Sequence, residues 1–206
     1  MKKLLSIAGM ALLFSGAGSK KAAVVIPKKL DPYVKPDYAD SYTQLSGLEK
    51  SALHWNYGIT IFCIKCEPAY VQNYLEYQKQ FEADDEDEDE EVTYNFIKYA
   101  EKTVFVKNHY ILKQNHYLNE KAIPEPPDMV AVMIKREAGY DPEFGDWQYG
   151  YFNAKGNVIV EGKGSKPAIR SLCSDCHKNI SERDHIFSRH LVPNFCKKND
   201  CKKVGK

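Results

Sequence analysis

Asp146-Trp-Gln-Tyr-Gly-Tyr-Phe-Asn-Ala-Lys-Gly-Asn-Val-Ile-Val-Glu161 decides the fold class. Two runs rich in aromatic and β-branched residues, Asp146 to Asn153 and Asn157 to Glu161, are joined by Ala154-Lys155-Gly156, a short turn containing glycine. Such a pair reads as a β-hairpin. Working outward, Met129 to Glu137, Thr103 to Leu112 and Tyr57 to Lys65 have the same β-like composition. Closely spaced strands joined by turns predict an antiparallel sheet, because a parallel pair needs a long crossover.

Two segments break this pattern. Glu67-Pro68 opens a predicted helix that runs to about Ala83, with proline in its first turn. Tyr70, Tyr74, Tyr77 and Phe81 recur in it at three- and four-residue spacing, an aromatic face expected to pack into the core. Pro167 to Asn179 is expected to be helical around a cysteine motif. The fold class is therefore α+β, mainly antiparallel β-sheet with a few helices, one of them carrying that motif.

The 206 residues divide unevenly. Lys2 and Lys3 precede an apolar run from Leu4 to Phe14, and Ser15-Gly16-Ala17-Gly18 then offers a cleavage site. Residues 1–18 read as a secretory signal peptide, too short in its apolar part for the roughly 20 residues that span a bilayer. The expected address is periplasmic. Residues 19–50, with Pro27, Pro32 and Pro36, read as an extended arm with little regular structure. Residues 51–192 form the predicted domain, and 193–206 a basic tail. Formal charge is +1, but nine of the ten residues in the acidic loop 82–91 are Asp or Glu. That run repels itself and should be solvated, and it lacks the glycine and ligand spacing of a calcium loop. The basic residues are scattered, so nucleic-acid binding has no support.

Cys173-Ser174-Asp175-Cys176-His177 carries the chemistry. In C-x-x-C-H, two thiols add across the vinyl groups of one haem and the adjacent imidazole reaches the iron. One covalently bound haem c, with His177 as axial ligand, is the expected cofactor. A plain disulfide or half of a zinc site is the plainer alternative; zinc would need two more ligands with their own spacing. The sixth iron position stays open, with Met129, Met133, His54, His109, His116, His185 and His190 as candidates. Cys63-Ile64-Lys65-Cys66 lacks the following histidine, so it is not a second haem site. With Cys196 and Cys201 it most simply makes two local disulfides, though three pairings are open.

Four segments resemble the cytochrome P-460 family, which includes the cytochromes c prime beta: Thr103 to Lys107, Val132 to Lys135 leading to Gly139-Tyr-Asp-Pro142, Gly145-Asp-Trp147, and Cys173 to His177 followed by Asp184 to Phe187. The resemblance implies a mainly antiparallel β domain, usually a homodimer, with one five-coordinate haem. In hydroxylamine-oxidising members a lysine is also bonded to the porphyrin, and the matching residue here is Lys107. Strand alternation agrees, since Phe105 and Lys107 fall on one face. Two positions depart from the family pattern: Asn108 stands where glutamate often follows the lysine, and Ile59 where arginine is common. Both changes predict a more apolar distal pocket.

Three functions follow. An enzyme would oxidise hydroxylamine and pass electrons to an acceptor cytochrome, with Lys107 on the ring and Asp184 or Glu137 taking protons. A gas-binding protein would hold nitric oxide or carbon monoxide behind a wall such as Phe105. An electron carrier would need a sixth protein ligand. The acidic loop could steer a basic partner cytochrome.

Overall fold

The computed structural model describes residues 24–51, 57–83, 93–112 and 126–190. The leader, His54, His116, most of the acidic loop, Cys196, Cys201 and the basic tail lie outside them.

Two short strands, β1 (Thr43–Gln44) and β2 (Glu49–Lys50), lead into β3 (Tyr57–Ile64) and pair along its outer edge. Then come β4 (Val104–Ile111), β5 (Met129–Lys135), β6 (Trp147–Asn153) and β7 (Val158–Lys163). Every pairing is antiparallel, in the order β1-β3-β4-β5-β6-β7 with β2 also on β3. The expected antiparallel sheet is present. The hairpin turn is built by Asn153, whose Oδ1 accepts the backbone N–H of Lys155 and Asn157 at 3.0 Å. Gly156, at φ +79°, supplies the left-handed residue that closes it.

Residues directly opposite in an antiparallel pair share a face, so the register sorts side chains into rows. One row on the front face is Ile61, Lys107, Ala131, Tyr151 and Val160. The next, Cys63, Phe105, Met133 and Tyr149, is buried. Phe105 there sits among Tyr70, Tyr99 and Trp147, with ring centroids 5.2 to 6.0 Å away. The back face presents Phe62, Val104, Val106, Val132 and Ile134, all buried. Burial on both faces explains why Met129 to Lys135 reads as an apolar run rather than a clean alternation.

Residues 24–42 cover that back face, which the expectation of a leading arm did not anticipate. Regular structure is sparse, as its prolines require: a turn at Pro27 and one four-residue helix, α1 (Tyr38–Ser41). Leu30, Val34 and Tyr38 nevertheless sit four residues apart and are fully buried against the sheet. The Tyr38 hydroxyl donates to Asn108 Oδ1, and Asn108 Nδ2 donates to the Tyr110 hydroxyl at 3.2 Å.

Helix α2 (Ala69–Ala83) packs on the front face. Its aromatic stripe is only partly buried, which corrects the expectation: Tyr70 is enclosed, Tyr74 and Tyr77 are half-buried, and Phe81 is 61% exposed. The buried side is Tyr70, Val71, Asn73 and Glu76. Polar residues belong there because the segment beside it, residues 93–99, has no strand partner for its backbone. Asn73 satisfies both groups of Ile97, at 2.9 and 2.8 Å, and Glu76 accepts the Asn95 N–H at 3.1 Å.

Candidate functional site

After β7 the chain turns through α3 (Pro167–Ile169), a π-helical stretch (Arg170–Ser174) and α4 (Asp175–Lys178). The expected continuous helix over 167–179 is therefore three short pieces. Ile169 and Ser174 anchor them: Ile169 is fully buried, and Ser174 Oγ donates to the Gly164 carbonyl at 2.6 Å. Cys173 is half-buried against the front-face core and Cys176 is exposed, and neither is in a disulfide. Cys63 and Cys66 are bonded to each other. Among the described residues, no three His, Cys, Asp or Glu side chains gather as a metal site of their own.

The His177 ring meets Tyr149 and Phe187 edge-on, with centroids 6.0 and 5.2 Å away. Its Nδ1 lies 2.7 Å from the His185 carbonyl. A carbonyl only accepts, so Nδ1 carries the proton and Nε2 keeps its lone pair.

Lys107 faces the same space. Burial pulls its amine down to about 8, opposed by the nearby Cys176 and Cys173 thiols. Burial in turn pushes the Cys173 thiol up to about 11, opposed by Lys107. These groups, distant in sequence, are thus close enough to act on one another. Lys107's own row is half-exposed at Ile61, Ala131 and Tyr151, while the row beside it is closed.

Asp184 and Glu137, the expected proton acceptors, are placed otherwise. Asp184 is 3% exposed, and its carboxylate takes Lys135 Nζ at 2.6 and 2.7 Å and the Tyr99 N–H at 2.8 Å. Both carboxylate oxygens are thus engaged within the fold. Glu137 is on the surface beside Arg136, 3.3 Å away. Near Lys107 lies a pair that the sequence did not join, His190 having been a candidate only for the iron: His190 Nδ1 is 2.6 Å from Glu49 Oε2. Glu49 stands opposite Ile59, on the lysine face, and Lys107 acts electrostatically on His190. Burial, more than any neighbour, holds the His190 imidazole below its ordinary value. A neutral imidazole backed by a carboxylate can take a proton.

The family profile for cytochrome P460 matches residues 75–188. The chain belongs to the cytochrome P460 family. No curated protein matches it. The matched region takes in most of α2, all of β4 to β7, and Cys173 to His177, but leaves out the back-face segment and β1 to β3.

Membership of the cytochrome P460 family implies haem, and the residues present fit one. Two free thiols and an imidazole whose Nδ1 is held by a carbonyl stand beside a half-open row. The Tyr149 hydroxyl, next to His177, is buried without a hydrogen-bond partner among the described residues. Such a group in a native fold asks for a partner. Of the other iron-ligand candidates, Met133 is buried in the core, Met129 and His109 share the lysine face, and His109 lies between the Tyr57 and Tyr151 rings. The apolar pocket expected from Asn108 needs correcting. Asn108 is on the back face with Tyr38, so only Ile59 borders the site.

Proposed function

We propose that this is a periplasmic monohaem cytochrome of P-460 type that oxidises hydroxylamine. Cys173 and Cys176 would hold the haem through two thioethers, each formed when a thiol S–H adds across a vinyl group, and His177 Nε2 would bind the iron. When bound, the haem would supply an iron able to take hydroxylamine and its electrons, for delivery to an acceptor cytochrome. The observation that carries the reading is that Cys173 packs against the same front core as Ile61 and Tyr151 of Lys107's row, with both thiols close enough to act on the lysine. A bond from lysine to the ring would replace an amine N–H and a ring C–H, the two electrons going to an oxidant such as peroxide; it needs a neutral amine, and burial to about 8 makes that form accessible near neutral pH. Protons released from the substrate go to the Glu49–His190 pair.

A second reading is capture of nitric oxide or carbon monoxide without turnover. The apolar neighbours of Lys107 across the sheet, Ile61 and Ala131, favour it. Mass spectrometry separates the two, on protein made in a host that matures haem c. Hydroxylamine oxidation predicts that the Cys173–Cys176 haem peptide carries the Lys107 peptide with it, that the mature chain lacks residues 1–18, and that hydroxylamine reduces an added acceptor. Glu49→Gln should slow that reduction while leaving the cross-link intact. Haem on the cysteines alone, with no acceptor reduced, moves the reading to gas binding.

A further inference from the structure

Asp184 (φ 52°) and His185 (φ 66°) are consecutive left-handed residues, neither of them glycine. Such a conformation persists only where its surroundings hold it, and it clusters where a group must be aimed. Here the surroundings are specific. Lys135 Nζ donates to both Asp184 oxygens and, at 2.8 Å, to the Gly145 carbonyl. The Tyr99 N–H donates to the same carboxylate, and Trp147 Nε1 donates to the Asp184 carbonyl at 2.8 Å. Gly145 leaves room for the turn, since a Cβ there would stand 2.4 Å from the His185 ring. The His185 ring is itself tied back to the His177 backbone, while its Nδ1 is buried without a partner among the described residues. What the turn delivers is one carbonyl, 2.7 Å from His177 Nδ1.

We propose that Lys135 and Asp184 are positioning residues for the axial histidine. The ion pair fixes the turn, the turn aims the His185 carbonyl, and the carbonyl draws on the Nδ1 proton so that His177 Nε2 becomes a stronger donor to iron. A stronger donor favours ferric over ferrous iron and so holds the reduction potential down. The proposal rests on the haem reading above, with His177 as the axial ligand. Lys135 comes from the end of β5 and Asp184 from the segment after α4, so the device joins the sheet to the motif.

The test uses haem-loaded protein, with attachment to Cys173 and Cys176 first confirmed by peptide mass. Lys135→Met and Asp184→Asn should each keep the haem. In each, the iron–histidine stretching band of the reduced protein, read by resonance Raman, should move down and broaden, and the midpoint potential should rise. Should either single variant fail to fold around its unpaired partner, the double variant K135M/D184N leaves no lone buried charge and should show the same shifts. Val132→Ala, on the back face, serves as a control that loosens the core and should leave band and potential unchanged. A folded double variant with the wild-type band and potential would overturn the proposal, as would a control that shifts them equally. Wild-type protein without haem on its cysteines would instead overturn the reading beneath it.

Discussion

Lys107 shows how burial prepares a side chain for chemistry. Its amine is held to about 8 by burial, against about 10.4 for an ordinary lysine. Between those values the folded protein binds fewer protons than the unfolded chain at this position, so haem-free stability rises with pH across that window. In haem-free protein, the rate of amine labelling at Lys107, followed peptide by peptide, should rise with a midpoint near 8. A midpoint near that of surface lysines would remove the argument. The direction of Lys107 was legible, because alternation pairs it with Phe105. The same alternation sends Asn108 to the opposite face, so its departure from the family pattern says nothing about the pocket. Glu49 and His190 were not legible as a pair. They meet only because β2 lies along β3 and the chain returns past α4, and no local pattern marks such a contact.

At the scale of elements, composition did most where strands pair with near neighbours. The Asp146 to Glu161 hairpin formed within a residue or two of its expected ends, since glycine and asparagine define its turn. Helix α2 was legible as a helix but not in its facing, because the neighbour that sets it is an irregular segment. Asn73 carries that contact with two hydrogen bonds to Ile97. Asn73→Ala should leave buried backbone groups unsatisfied and destabilise the fold by about 1–3 kcal/mol. A fall in the urea midpoint with an unchanged slope would show it; no change would mean that water replaces both bonds. The π-helical stretch was also hidden, as nothing in Arg170 to Ser174 distinguishes a wide turn from an α-helical one.

For the whole molecule, the sheet has two unlike sides. The front carries the thiols, His177 and the half-open row. The back is sealed by residues 24–42, whose three fully buried side chains, Leu30, Val34 and Tyr38, sit among prolines that hide their spacing. The cysteine motif could be singled out because its pattern is local, whereas the Lys135–Asp184 pair joins segments far apart in the chain. Since the back-face core is closed by the chain's own residues 24–42, the variant Cys173→Ser/Cys176→Ser should still unfold in one cooperative step, followed by circular dichroism in urea. A broad, gradual transition would show that the sheet depends on haem.

The order of the parts along the chain also sets the order in which they are made. Every described strand precedes Cys173, so the thiols are among the last of these parts to emerge during synthesis. Leu172 and Cys176 are exposed beside those strands. Were haem joined to the thiols as proposed, an attachment apparatus would have a short accessible stretch to read, next to a sheet whose strands had all been made.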